Sequence, residues 1–216
     1  MKTQDSPMQE QKSDKAEASP PGGMLLRAEN LGKRYESRWV LRGINLDLGP
    51  GDCLVVGGSN GSGKSTLLRL LAGLLSPSEG KVHLTGDPRT TLGLAALEFA
   101  LYPTLTVREH LELTASLRGV TSRADELLEF IGLAYAADRP ASQLSTGMKA
   151  RLKFAIAIQA RPLALLLDEP GAGLDEPGLE LLARIIQEQL TRGCIVLATN
   201  DPRERRWANL ELQLNH

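Results

Sequence analysis

A glycine-rich segment of eight residues places the strongest constraint on how this chain can fold. Residues 58–65 read Gly-Ser-Asn-Gly-Ser-Gly-Lys-Ser, which matches the pattern G-x-x-x-x-G-K-[ST]. The glycines allow backbone angles with which several N–H groups point inward and hold an anion. An apolar run, residues 53–57, precedes the segment, and a helical pattern follows it. The sequence therefore predicts a phosphate-binding loop between a buried strand and the N-terminus of a helix.

The side chains of this segment indicate a nucleoside triphosphate bound with Mg²⁺. We expect Lys64 to place a cation on the β- and γ-phosphates and Ser65 to offer its hydroxyl to the metal. ATP and Mg²⁺ are accordingly the predicted cofactors. The expected nucleotide contacts are consecutive residues: Gly58, Ser59, Asn60, Gly61, Ser62, Gly63, Lys64, Ser65 and Thr66.

Two adjacent carboxylates follow a second apolar run. Residues 163–167 predict a buried strand, and Asp168 and Glu169 come directly after it. Ligands of open α/β sheets bind at the carboxyl edge of the strands, so both side chains are expected beside the phosphates. We expect Asp168 to hold Mg²⁺ and Glu169 to polarise the attacking water.

Strand-like and helix-like patterns alternate from Met24 onward. Leu26, Ala28 and Asn30 alternate with polar neighbours, and residues 44–48 repeat this pattern, which is typical of half-buried antiparallel strands. Helices are predicted at 64–75 and 179–190, and further strands at 80–84, 92–96 and 194–199. We therefore predict an α/β fold: a P-loop NTPase core with a mostly parallel sheet and an antiparallel β subdomain.

The stretch from residue 103 to residue 144 predicts helices without strands, which indicates a small helical insertion. Thr106 and Glu109 have the spacing of a capping box, and residues 125–131 form another helical stretch. Ser145 is the expected cap of the next helix, through Gln159. We predict a disordered polar tail over 1–23 and one domain over 24–216, with a helical subdomain at about 103–160.

Composition narrows the function classes. The formal net charge of −1 gives no sign of a nucleic-acid partner, and the basic cluster at 203–206 is interpreted as a solvated face. Cys53 and Cys194 lie in apolar runs without metal-ligand spacing, so we interpret both as reduced core residues. No run reaches the length of a membrane span, and the polar N-terminus is unlike a signal peptide. The three histidines are isolated, and no role is assigned to His83, His110 or His216.

Five motifs in order make residues 25–214 resemble the nucleotide-binding domains of ABC transporters. Beside the glycine-rich loop and the acidic pair, residues 144–148 (Leu-Ser-Thr-Gly-Met) resemble the signature motif LSGGQ, and residues 173–175 resemble the D-loop. Tyr35 falls where that family places the aromatic ring that stacks on adenine. The short chain is also similar, in size and pattern, to compact exporter ATPases such as those of cytochrome-c maturation haem export.

The resemblance implies more than the residues alone. Two such domains clamp two ATP molecules head to tail, so a homodimer or a heterodimer is expected. Ser145 and Gly147 of the signature, and Asp175 of the D-loop, would act on the partner's nucleotide. Hydrolysis would drive a separate membrane subunit, which places the chain in the cytoplasm, peripheral on the inner face of the membrane. Residues 101–107 resemble the entry to the helical domain, where that subunit docks.

Three positions depart from the family pattern. Leu97 aligns with the glutamine of the Q-loop, and Glu98 is an alternative if the loop shifts by one residue. Asn200 replaces the switch histidine; it can donate an amide hydrogen bond to the γ-phosphate but carries no proton or charge, so slow turnover is expected. Thr146 replaces the first glycine of the signature.

These departures leave other functions open. An ATP-gated dimerisation clamp, or a regulatory module with little hydrolysis, is the main alternative to a transport ATPase. A soluble ABC protein acting on DNA or ribosomes is less well supported, because the chain has neither a long coiled-coil insertion nor two domains. The signature motif argues against a P-loop kinase.

Overall fold

The computed structural model describes residues 23–96 and 98–214. Apart from Gly23, the predicted disordered tail lies outside these residues, and so do Leu97 and His216. The strands are β1 (Leu26–Tyr35), β2 (Arg38–Leu48), β3 (Cys53–Gly57), β4 (Glu79–Leu84), β5 (Leu92–Ala96), β6 (Ala164–Asp168), β7 (Cys194–Ala198) and β8 (Leu210–Gln213). The helices are α1 (Lys64–Leu71), α2 (Pro88–Thr91), α3 (Val107–Arg118), α4 (Ala124–Phe130), α5 (Thr146–Ile158) and α6 (Glu176–Leu190).

A five-stranded sheet forms the centre of the protein, in the order β5-β6-β7-β3-β8. All of its pairings are parallel. Strands β3 and β7 are buried along their whole length, and so is β6 up to Leu167, as expected for a parallel sheet covered on both faces. The predicted α/β class with a mostly parallel sheet is confirmed.

A second sheet, with the order β2-β1-β4, is antiparallel. The predicted alternation holds for Leu26 and Ala28, which are buried, but it is wrong at Asn30. Asn30 is exposed with a left-handed φ of 48°, and the β1–β2 register shifts between Ala28 and Leu31. The extra residue of this bulge moves the inward position to Leu31, which is fully buried.

Helices and short 3-10 turns fill the stretch between β5 and β6. Across residues 103–144, all of them described, no strand forms, and Thr106 pairs with Pro140 in an isolated bridge. The predicted capping box is present: Thr106 Oγ1 accepts the Glu109 N–H, and the Glu109 carboxylate accepts the Thr106 N–H. These helices, with α5 and α6, pack on one face of the parallel sheet.

The other face of the parallel sheet packs against α1 and the antiparallel sheet. Helix α1 ends at Leu71, four residues earlier than predicted, because Gly73 adopts a left-handed φ of 69° and reverses the chain. Leu74 is consequently exposed. Within the described residues, none of the helices has the length and apolar character required to cross a membrane.

Candidate functional site

Three neighbouring strands deliver the predicted site residues to one edge of the parallel sheet. Strand β3 runs into the glycine-rich loop, β6 ends at Asp168, and β7 is followed by Thr199 and Asn200. Because β6, β7 and β3 are adjacent and parallel, their carboxyl ends meet at the same edge. The fold thereby brings together segments that are more than 130 residues apart in the chain.

The glycine-rich loop wraps around the ammonium group of Lys64, which is only 7% exposed. Its Nζ donates to the carbonyl oxygen of Gly58 at 2.8 Å and lies 3.4 Å from that of Ser59. Gly63, the N-cap residue directly before α1, has a left-handed φ of 102°, and Gly61 has one of 82°. Side chains other than glycine rarely adopt these angles, which explains why the sequence has glycine here.

Glu169 is held in a strained backbone conformation. Its φ is 47°, a left-handed value that is uncommon for a residue other than glycine. One carboxylate oxygen, Oε1, lies 3.6 Å from Lys64 Nζ, and the other, Oε2, accepts the Asn200 N–H at 3.3 Å. Strain of this kind persists where surrounding structure enforces it, and it is frequent at functional sites.

Asn200 connects the end of β7 to the glycine-rich loop. Its Oδ1 accepts a hydrogen bond from Lys64 Nζ at 3.2 Å, and its Nδ2 donates to Asn60 Oδ1 at 2.9 Å. The carboxamide therefore bridges two residues of the loop while its backbone N–H binds Glu169. This position is where the sequence predicted a contact to the γ-phosphate.

An open cleft of about 470 Å³ lies at this edge of the sheet. That volume falls within the range of roughly 300–1,000 Å³ that is usual for small-molecule sites. Many of the predicted phosphate and metal residues line it, together with Val40 of β2: Asn60, Gly61, Gly63, Lys64, Ser65, Thr66, Asp168 and Glu169.

The donor set of the cleft fits Mg²⁺. The hydroxyl of Ser65 and the carboxylate of Asp168 are both oxygen donors, and Mg²⁺ is usually held by one or two carboxylates together with substrate phosphates. Among the residues that the structure describes, no cluster of three or more His, Cys, Asp or Glu could hold a metal alone. A metal that arrives with the phosphates agrees with both observations.

The signature and D-loop residues lie together but do not line this cleft. Ser145 caps α5 by accepting the Met148 N–H at 3.2 Å. Asp175 caps α6 by accepting the Gly178 N–H at 3.0 Å, and it forms an ion pair with Arg151 of α5 at 2.8 Å. The Arg151 guanidinium holds the pKa of the Asp175 carboxyl below its usual range. Arg151 thus links the signature helix to the D-loop, a connection that the sequence analysis missed.

Two other predicted positions lie away from the cleft lining. Tyr35 is 46% exposed at the end of β1, where the ammonium of Lys33 lies 5.3 Å from the ring centroid. Its stacking on adenine stays a prediction. Glu98, the alternative to Leu97, forms an ion pair with Arg69 of α1 and does not line the cleft.

An apolar groove lies beside β5, on the side of the helical stretch, and its lining includes the exposed side chains Phe99, Tyr102, Leu113 and Leu117. His110, to which the sequence analysis gave no role, is buried beneath it. Its Nε2 accepts the Tyr102 N–H at 3.0 Å, and its Nδ1 lies 2.7 Å from the Thr106 carbonyl oxygen. With these partners Nε2 acts as an acceptor and Nδ1 as a donor, so the ring ties Tyr102 of the groove to the first turn of α3.

The sequence of this chain is similar to those of known ATP-binding proteins of transporters. A family model described as "ABC transporter" matches residues 41–172. The chain is 38% identical over 180 residues to the cytochrome c biogenesis ATP-binding export protein CcmA of Gluconobacter oxydans, which covers 83% of this chain and 82% of that protein. It is 36% identical over 184 residues to the Nod factor export ATP-binding protein I of Burkholderia pseudomallei, which covers 79% of this chain but only 60% of that protein.

Solved structures give the same result. An ATP-binding cassette, solved as a dimer in a post-hydrolysis state with ADP and Pi, superposes with a TM-score of 0.81 at 26% identity. The match covers 88% of this chain and 94% of that one. The chain belongs to the ABC transporter family, as one of its nucleotide-binding domains.

Proposed function

We propose that this chain hydrolyses ATP and thereby powers a separate membrane subunit of a transporter. The observation that carries the proposal is the convergence of Lys64, Glu169 and Asn200 beside the glycine-rich loop, at hydrogen-bonding or near-contact distances. A buried cation beside an anion-binding loop and a carboxylate that can orient water are groups that serve phosphoryl transfer, and the amide of Asn200 lies next to both.

Each side chain then has a definite task. Lys64 neutralises the β- and γ-phosphates, since its ammonium is already held at the loop by two carbonyl oxygens. Glu169 orients and polarises the attacking water. Ser65 and Asp168 would hold Mg²⁺, which supplies charge neutralisation at the phosphate oxygens when it is bound. Val40 lines the cleft beside the loop, and Tyr35 would stack on the base.

The proposed partners are a second nucleotide-binding domain and a membrane subunit. Ser145, Gly147 and Asp175 lie outside its lining, so in this proposal they serve the cleft of a second nucleotide-binding domain. A structural relative was solved as a dimer with ADP and Pi, which supports this arrangement. The membrane subunit docks at the apolar groove, through the segment 101–107. The chain then resides in the cytoplasm, at the inner face of the membrane.

Turnover is slow in this proposal, because Asn200 offers an uncharged amide where a histidine could carry a proton. In addition, the amide forms hydrogen bonds with Asn60 and Lys64. Those hydrogen bonds must be exchanged when a γ-phosphate enters.

The test is the steady-state ATPase rate of the chain assembled with its membrane partner. Glu169→Gln keeps the shape of the side chain but removes the carboxylate, so we expect ATP binding to persist and hydrolysis to fall at least 100-fold. Glu188→Gln, on the exposed face of α6, is the matched control and should retain the wild-type rate. An assembled chain that binds ATP and dimerises without hydrolysing it would refute the transport ATPase and favour the ATP-gated clamp.

A further inference from the structure

Glu204 is a buried carboxyl group that the proposed mechanism does not use. It begins a short 3-10 helix, Glu204–Trp207, four residues after Asn200, and it is 3% exposed. Glutamate is almost never buried to this degree unless it is paired with a cation. Within residues 23–96 and 98–214, however, no ion pair involves Glu204.

The polar contacts of Glu204 come from two turns of the site. Its carboxyl group interacts with the backbone amide of Gly171 and with the hydroxyl of Thr199, and both interactions lower its pKa, although burial raises it more strongly. The carboxylate Oε1 lies so close to Gly171 that a Cβ at this position would collide with it. Oε2 is buried and has no hydrogen-bond partner among the described residues.

Both contacted residues are next to the reacting side chains. Gly171 lies two positions after Glu169, in the turn that follows β6. Thr199 directly precedes Asn200; its side chain is fully buried, and its hydroxyl accepts the Asp201 N–H at 3.0 Å. A single buried carboxyl group therefore joins the turn that carries Glu169 to the turn that carries Asn200.

We propose that Glu204 is a positioning residue, which holds these two turns in register so that Glu169 and Asn200 face the glycine-rich loop together. This inference rests on the proposed ATPase function. Glu169 has a left-handed backbone that needs support from its surroundings, and Gly171 is the part of its turn that Glu204 holds. A Cβ at position 171 would have to displace this carboxylate, so glycine there leaves room for it.

The position of Glu204 favours a role in alignment over a role in binding phosphate. It does not line the cleft, and its charge would repel a phosphate rather than bind it. Asp201 and Glu169 are the charged groups that further raise its pKa, so the environment disfavours an additional negative charge on Glu204. Burial of a carboxyl group lowers the stability of the folded state. We infer that Glu204 is kept despite this cost because it aligns the two turns.

The experiment compares variants of the full chain, assembled with its membrane partner, by kcat, KM for ATP and thermal midpoint. Glu204→Ala removes the link, and we expect kcat to fall at least tenfold while KM changes less than threefold. Glu204→Gln retains an acceptor of the same shape and should recover most of kcat. Glu180→Ala, an exposed glutamate on α6, is the control and should match the wild type.

A second pair of variants keeps the inference testable if Glu204→Ala does not fold. Thr199→Val removes the hydroxyl that Glu204 contacts and should lower kcat in the same way, whereas Thr199→Ser should restore it. Wild-type kcat in folded Glu204→Ala, or in Thr199→Val, would overturn the inference, and so would a loss of ATP binding that accounts for the whole effect. Absence of hydrolysis in the wild type would instead refute the proposed function.

Discussion

Replacing Asn200 with histidine is the substitution that most directly probes the proposed slow hydrolysis of ATP. Asn200 follows the end of β7. Its side-chain Oδ1 lies 3.2 Å from Lys64 Nζ, and its Nδ2 lies 2.9 Å from Asn60 Oδ1. A side chain at this position therefore reaches the loop without any rearrangement of the backbone. Asn200→His places a group that can carry a proton where the γ-phosphate is expected.

The expected gain can be worked out from this contact. A hydrogen bond to a charged group contributes about 1.5–3 kcal/mol, against about 0.5–1.5 kcal/mol for an uncharged one. The difference between the two is about 1–1.5 kcal/mol; since roughly 1.4 kcal/mol corresponds to a tenfold change in rate, a contact strengthened mainly in the transition state raises kcat about 5- to 13-fold. KM for ATP should change little, because Lys64 and the loop are expected to provide most of the binding.

The assay is the steady-state release of phosphate by the assembled complex, with wild type, Asn200→His, and Asn200→His combined with Glu169→Gln. The double variant is the control: the gain should disappear when the carboxylate of Glu169 is absent, because the histidine acts on the same reaction. An unchanged kcat in Asn200→His would refute the claim that Asn200 limits turnover.

Three further predictions concern other parts of the molecule. His110→Ala frees the Tyr102 segment and should weaken binding to the membrane subunit, measured by co-purification, while ATP affinity stays at the wild-type value. Burial raises the pKa of the Cys53 and Cys194 thiols to about 12, so at pH 8 only about one thiol in 10,000 is a thiolate. Iodoacetamide should accordingly spare both cysteines in the folded chain and modify both in urea; rapid labelling of the native protein would contradict their burial. Thr106→Ala breaks the capping box and should cost about 1 kcal/mol of stability, or about 2–4 °C in Tm by calorimetry, whereas an unchanged Tm would mean that the cap contributes little.

The parallel sheet and the glycine-rich loop could be predicted from sequence because their signals are local. An apolar run of strand length predicts a buried strand, and the motif at 58–65 fixes a loop between strand and helix. Asp168 and Glu169 could be placed at the same edge, since parallel strands share it. The capping box at Thr106 is equally local, because both of its hydrogen bonds are made within one turn of helix.

Other features depend on tertiary contacts and leave no such signal. An alternating pattern does not reveal the bulge at Asn30. Because Leu74 is apolar and continues the helical pattern, the sequence predicted a longer helix than α1, which ends at Leu71. His110 has no ligand spacing, so its hydrogen bond to the Tyr102 amide could not be foreseen. The burial of Glu204 depends on two turns that are far apart in the chain.

The bridge made by Asn200 is an intermediate case. The alignment of motifs predicted that this residue would face the γ-phosphate, and the structure places it at the loop. Its contact with Asn60 was not expected, because it joins residues 140 positions apart. The sequence shows that asparagine replaces the motif's histidine at position 200. The hydrogen-bond partners of this asparagine can be identified only from the three-dimensional structure.

Phosphate binding at the loop can be tested by the equilibrium affinity for ATP, measured with Mg²⁺ for the wild type and for Lys64→Ala. The claim is that the phosphates bind at the loop beside Lys64, whose ammonium is nearly buried there. We predict that Lys64→Ala weakens ATP binding at least tenfold, in line with the loss of a charged hydrogen bond of about 1.5–3 kcal/mol. Lys81→Ala, at an exposed lysine of β4, should leave the affinity unchanged. Equal affinity of Lys64→Ala and the wild type would show that the phosphates do not bind beside Lys64.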